Sequence, residues 1–231
     1  GSVYRAEYEK LTAVIEKFFW DEEKGAYIDS FTSGRRNVTR HANIFAILFS
    51  IADETKQEKI LKNVLENDEI PAITTPYFNF FELDVLCRMG KLTEVLDKIR
   101  SYWGGMLDLG AVTFWEEYDP SVPKEEQYDM YGDHFGKSLC HAWAASPIYF
   151  LAKYFAGLDL VNKDGVTYIL KPQMQYFTEL DCTLPVGSNG VVRLVWDGEI
   201  LEITPNVDGG ILELGEQKLS LVRGETRRVK I

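Results

Sequence analysis

The sequence is short of positive charge. Its 25 lysines and arginines face 36 aspartates and glutamates, a formal net charge of −11, and the cations form no stripe. Nucleic acid is therefore excluded as a partner, because phosphate backbones are held by clustered Lys and Arg. A neutral or cationic ligand suits this balance better. Cysteine is scarce as well. Cys87, Cys140 and Cys182 are far apart and odd in number, which makes neither a disulfide framework nor a metal-ligand spacing. They read as buried or free thiols, and no metal or cofactor is expected. No apolar run nears the ~20 residues of a membrane span, so no membrane partner is expected. No secretory leader is seen either: Gly1-Ser2 reads as a cloning remnant that opens directly into a helix. No compartment follows from any of this. Also missing are a short repeat, a low-complexity tract, a phosphate-cradling loop, a nucleophile elbow and a pair of metal ligands on one helix face.

What is present is an ordinary globular composition over 231 residues, 45% apolar and 26% charged, with 13% aromatics concentrated before residue 160. The length allows one large domain or two small ones. Tyr4, Tyr8, Leu11, Ile15 and Phe18 recur at spacings of three and four, predicting an amphipathic helix over 3–20. A polar turn and a short extended segment, 26–31, follow. A helix over 40–52 is apolar nearly all round, and Asp53 caps a third over 54–65. Thr75-Pro76 starts a fourth that runs to Met89, where Gly90 can supply a left-handed cap. The fifth carries Leu92, Val95, Leu96, Ile99, Tyr102 and Trp103 on one face, and Gly104-Gly105 is expected to stop it. A sixth spans 137–156, with Pro147 demanding a kink or a start nearer Ser146. Short connections predict three antiparallel helical hairpins.

At Gly157 the period changes from helical to alternating. The runs 165–170, 178–185, 190–196, 200–204, 210–214, 218–221 and 226–231 are separated by Asp-Gly, Ser-Asn-Gly, Asp-Gly-Gly and Arg-Gly-Glu turns. This spacing predicts an antiparallel β-sandwich. The expected class is α+β with two domains, helical hairpins over 1–156 and a sandwich over 157–231.

The chemistry concentrates between Gly104 and Gly136, a connection too long to be idle in a compact domain. There Gly110-Ala-Val-Thr-Phe-Trp-Glu-Glu-Tyr-Asp119 sets Glu116 and Glu117 among Phe114, Trp115 and Tyr118. Rings beside carboxylates suit sugar chemistry: apolar sugar faces stack while acids handle protons at the glycosidic bond. A surface acidic turn with a buried aromatic anchor is the competing reading. Adjacent residues in extended chain point apart, so one of the two glutamates faces a cleft; Trp115-Glu116 is the better pair, leaving Glu117 to solvent. His141, in Ser138-Leu-Cys-His-Ala-Trp143, could bond a substrate hydroxyl or be a satisfied structural histidine. His41 is expected to meet helix-end or loop carbonyls, and His134 to be solvated. Lys124-Glu-Glu-Gln reads as a wet surface run.

Gly110-Ala-Val-Thr-Phe-Trp-Glu116 resembles the Gly-Ala-Thr-Thr-x-Trp-Glu loop of the inverting α-L-rhamnosidases, glycoside hydrolase family 78. Thr75-Pro-Tyr-Phe with Phe81-Glu-Leu and Arg88-Met-Gly resembles that family's preceding helix. Lys137-Ser-Leu-Cys-His-Ala-Trp-Ala-Ala-Ser-Pro147 resembles the next one. Val112 departs from the usual threonine pair, and Ala142 stands where glycine is common. The resemblance implies an (α/α)6 barrel, of which the helices here would form the C-terminal half, followed by a β-sandwich. It implies that Glu116 is the general base activating water, with His141 contacting the sugar. Trp115 would sit beside the cleft. Beyond the resemblance, the neighbouring Glu117 and Trp143 are further candidate substrate contacts. The family's general acid lies in the first barrel half and finds no counterpart before residue 75. The expected partner is a rhamnose-containing glycan, and this chain alone is expected to turn over little or nothing. Another six-hairpin glycosidase and a non-catalytic sugar-binding piece are the rivals. A half barrel should also expose apolar helix faces and self-associate through them.

Overall fold

The structure, a computed structural model, describes residues 2–162 and 167–231. It forms two compact units, one ending at Ala144 and one running from Ala145 to Ile231. The division falls inside the predicted sixth helix rather than at the change of period near Gly157.

In the first unit, α1 (Ser2–Phe19) fully buries none of its residues. Tyr8 ties it down by donating its hydroxyl hydrogen to the carbonyls of Phe49 and Ser50, both at 2.9 Å. A small hairpin follows, β1 (Trp20–Asp21) against β2 (Ala26–Tyr27). Asp21 closes it, accepting from the backbone N–H of Glu23 and Lys24 at 3.0 and 3.1 Å. Next come α2 (Arg40–Leu48) and α3 (Glu54–Ile60). The Asp53 side chain accepts from Lys56 N–H at 2.9 Å, satisfying one of the orphan donors of the first turn of α3. A π-helical turn, Leu61–Leu65, prolongs it. Then α4 (Pro76–Arg88) begins with proline in its first turn, and α5 (Leu92–Lys98) continues through a second π-helical turn, Ile99–Trp103.

Gly104-Gly105 does not end that helix. The chain coils on through α6 (Gly104–Asp108) and turns away at Gly110, which takes φ +90°. Gly105 serves close approach: a Cβ there would lie 2.4 Å from the Tyr118 hydroxyl oxygen. The glycine makes room for a buried ring on the site loop and is no break signal.

Two buried polar groups fasten the helices. Asn43 accepts from Tyr27 N–H at 2.8 Å and donates to the Tyr27 and Thr39 carbonyls, holding β2 against α2. Arg40 donates to Glu82 at 3.0 Å and to the Leu65 carbonyl at 2.9 Å, and Lys98 also meets Glu82. Burial holds the Lys98 ammonium below its usual range, with Glu82 pulling the other way.

The second unit opens with α7 (Ser146–Phe150), prolonged by a π-helical turn over Leu151–Phe155. The predicted sixth helix thus starts at Ser146, because Pro147 fits a first turn but no interior one; the stretch before it is irregular, with a 3-10 turn at Ala142–Ala144. Ten strands are numbered along the described chain. Those of this unit are β3 (Leu158–Leu160), β4 (Tyr168–Leu170), β5 (Leu180–Val186), β6 (Gly190–Trp196), β7 (Ile200–Pro205), β8 (Gly210–Leu214), β9 (Gln217–Leu221) and β10 (Arg227–Lys230). The first part of the predicted run 165–170 lies outside the described residues. One sheet has the order β10-β7-β6-β5 and the other β3-β4-β8-β9. All pairings are antiparallel except β4 with β8, which run parallel. Alternate residues of both sheets, among them Tyr168, Leu170, Leu194, Leu201, Ile203 and Leu212, meet in one core with Met174 and Ala156. The fold is α+β, helical hairpins followed by a β-sandwich. No helix among the described residues is long and apolar enough to cross a membrane.

Candidate functional site

The loop after α6 is built by pairing with the chain that returns twenty-odd residues later. Glu116 N–H donates to the Ser138 carbonyl at 2.9 Å, and His141 N–H to the Phe114 carbonyl at 2.8 Å. Thr113 adds its hydroxyl to the Leu139 carbonyl. On the other side Tyr118 N–H donates to the Thr74 carbonyl at 3.1 Å, fixing the loop to the segment that leads into α4. Tyr118 is itself buried against Tyr102, edge to face at 5.5 Å. Gln127 closes the outer turn by donating to the carbonyls of Asp119 and Val122. The irregular backbone therefore has its polar groups paired and can hold side chains still.

Glu116 is 7% exposed. Its Oε1 accepts from the Tyr131 hydroxyl at 2.9 Å, and its Oε2 accepts from Ser138 N–H at 3.2 Å. His141 Nδ1 stands 3.7 Å from Oε2, too far for a hydrogen bond but close enough for a protonated ring to be drawn in. Glu117 points the other way and accepts from the Thr74 hydroxyl at 2.9 Å. It is half-buried and partnered rather than left to solvent. A hollow of about 580 Å³ has Thr74 and Asp119 in its lining, but not Glu116.

Trp115 is 3% exposed and packs edge to face on Tyr128 at 5.6 Å. It forms part of the wall behind the loop, so the open aromatic surface is supplied elsewhere. Trp143 supplies it: 46% exposed, it lies 4.2 Å from the His141 ring and 5.2 Å from Tyr77. His134 is exposed and pairs with Asp129 at 2.5 Å. His41 packs on the Phe78 ring at 4.1 Å, an exposed ring contact in place of the expected carbonyl contacts.

Three participants were not legible from the loop motif. Tyr131 reaches Glu116 from the tip of a separate turn. Its phenol is held above the usual tyrosine range, first by its bond to Glu116 and then by that carboxylate's charge. Lys137 is buried; burial lowers its ammonium pKa while the charges of Glu117, Asp119, Asp129 and Glu116 oppose the shift. Thr74 lies more than forty positions upstream. Only Lys137 had a signal, as a cation inside a motif already singled out. No group of three His, Cys, Asp or Glu among the described residues is placed to hold a metal. Chemically, a buried carboxylate with both oxygens addressed, beside a half-buried imidazole and an open indole, can accept a proton and bind a hydroxylated, apolar-faced ligand.

The helical hairpins that carry these residues are those of a six-hairpin glycosidase domain. Residues 2–155 match the family described as the bacterial alpha-L-rhamnosidase 6 hairpin glycosidase domain, and the chain belongs to that family. Among solved structures it is similar to the GH78 family rhamnosidase of Bacillus sp. GL1, with TM-score 0.75 and 23% identity, covering 93% of this chain and 23% of that one. It is also similar to the alpha-L-rhamnosidase from Dictyoglumus thermophilum, with TM-score 0.65 and 20% identity, covering 94% of this chain and 24% of that one. This chain thus spans about a quarter of the length of the structures it matches. No curated protein sequence matches it.

Proposed function

We propose that this chain carries the general-base side of an inverting, α-L-rhamnosidase-like glycosidase site, with Glu116 activating water. The observation that carries the reading is the Glu116 carboxylate itself: buried, anchored at both oxygens, and flanked by His141 and the open Trp143. An inverting glycosidase needs two carboxyl groups about 6.5–9.5 Å apart with water between one of them and the anomeric carbon. Glu116 supplies one. The family resemblance puts the other, the general acid, in a stretch without a counterpart here, so the chain alone binds sugar without cleaving it. In this reading Glu116 also holds the sugar, through the water it activates; His141 and Trp143 are the direct sugar contacts, and Trp115 the wall that keeps bulk water from the back of the carboxylate.

The test is a saturation-transfer screen of monosaccharides on the purified chain, run beside hydrolysis of an aryl α-L-rhamnoside. L-Rhamnose should give transfer, Trp143→Ala should remove it, and no aryl alcohol should be released. Release abolished by Glu116→Gln would overturn the claim that this chain lacks an acid. Transfer only to other hexoses would move the reading to a six-hairpin glycosidase of different sugar preference. A second reading, a non-catalytic sugar-binding piece, is favoured by one observation: the open Trp143–Tyr77 ring pair needs no acid or base to hold a sugar face. It predicts that Glu116→Gln leaves saccharide affinity unchanged.

A further inference from the structure

The Tyr131 side chain is held in a way that the turn around it does not require. Met130 and Asp133 exchange backbone hydrogen bonds at 3.0 and 2.9 Å, so Tyr131 and Gly132 are the two central residues of a tight hairpin turn. Both have positive φ, +56° and +81°, as such turns demand. Glycine, asparagine or aspartate meets that demand at little cost; a tyrosine is rarely found there. The turn is closed from behind as well. Gly136 N–H donates to the Asp133 carbonyl at 3.2 Å, and a Cβ at Gly136 would stand 2.2 Å from the Met130 carbonyl oxygen. The backbone thus fixes where residue 131 sits, and tyrosine is the residue found there.

Packing does not account for the ring, which is 81% exposed. Its hydroxyl has a directed partner, Glu116 Oε1 at 2.9 Å. The opposite oxygen, Oε2, is held by Ser138 N–H, part of the loop's own pairing. One donor is therefore rigid backbone and the other a side chain from a separate turn, and together they fix the rotation of the carboxylate.

We infer that Tyr131 is a positioning residue for Glu116, orienting its carboxylate toward the ligand from the open side of the loop. The inference rests on the reading of Glu116 given above. It makes Tyr131 part of the sugar-recognition machinery without asking it to touch the anomeric centre.

Two measurements on this chain test it. In the first, tyrosines are labelled with 13C at Cζ and titrated by NMR, the Tyr131 signal being assigned from Tyr131→Phe. Tyr131 should titrate above the exposed tyrosines and return to them in Glu116→Gln. In the second, L-rhamnose is titrated calorimetrically into four proteins: wild type, Tyr131→Phe, Glu116→Gln and the double variant. Loss of one orienting hydrogen bond should weaken binding about threefold to tenfold in Tyr131→Phe. The double variant should be no weaker than Glu116→Gln, because the hydroxyl acts only through that carboxylate. A thermal melt of Tyr131→Phe should match wild type, since the exposed ring is retained. Wild-type affinity in Tyr131→Phe, additive losses in the double variant, or a Tyr131 titration indifferent to Glu116→Gln would each overturn the inference. If no protein binds L-rhamnose while the NMR coupling holds, the positioning contact stands and the carbohydrate reading falls instead.

Discussion

Asp21 shows how a single side chain in this protein ties stability to pH. Arg36 donates to its carboxylate at 2.7 Å, and the N–H groups of Lys24 and Glu23 add to this, so the carboxyl is held below the usual carboxylate range despite its burial. The folded chain then binds that proton more weakly than the unfolded chain does. The stabilisation is full above the usual carboxylate range, and it is lost as pH falls from that range through the lowered value of the folded chain. Melting wild type and Asp21→Asn from pH 7 downward should show a gap that is widest near neutrality and closes below about pH 4. A gap constant with pH would contradict this. The residues of the candidate site divide on similar grounds into legible and illegible. Glu116, Trp115 and His141 lie in motifs whose chemistry can be read in order along the chain. Tyr131 and Thr74 do not, because each comes from a distant segment brought in by backbone pairing that no local pattern encodes. The burial of Trp115 was also invisible: a tryptophan beside an acid reads the same whether its face is open or packed on Tyr128.

Among the elements, the tie between α2, α4 and α5 is polar and buried. With Glu82 removed, Arg40 and Lys98 are left as two cations without a counter-charge, so Glu82→Ala should cost about 3–5 kcal/mol in urea unfolding. The triple change Arg40→Met, Glu82→Leu and Lys98→Met should cost markedly less, since no charge remains buried without a partner. Equal losses would show that packing, not charge, dominates there. Gly105→Ala tests α6 in another way. It raises helix propensity yet drives a methyl into the Tyr118 ring, so it should destabilise by about 1–3 kcal/mol; a stabilised variant would mean that the ring moves freely. Strands were the most legible elements, because alternation and glycine turns are local signals: 190–196 and 210–214 match β6 and β8 residue for residue. Helix ends were less so. Gly104-Gly105 carries a stop signal in sequence, but the demand for space beside Tyr118 and a further hydrogen-bonded turn over Gly104–Asp108 outweigh it.

For the whole molecule, the apolar side chains left on the surface are the telling feature. Val3, Tyr4, Tyr8, Leu11 and Val14 of α1 are all exposed. Beside them lie two hollows, of about 400 and 340 Å³, lined largely by apolar groups that include Ile15, Phe19, Phe45, Phe49, Val14 and Phe31. We propose that a second copy of this chain covers this surface, since contiguous apolar patches tend to recruit partners. Sedimentation velocity should show mass rising with concentration, and Leu11→Glu with Val14→Glu should return it to monomer; a monomer at every concentration would contradict this. Most of the proposed site chemistry turns on the Glu116 carboxylate meeting a sugar. Isothermal titration of L-rhamnose into wild type and Glu116→Gln tests it most directly. Wild type should give heat of binding, and Glu116→Gln should bind about tenfold more weakly, the scale of a charged hydrogen bond lost. Equal affinity in the two proteins, or no binding by wild type, would contradict it.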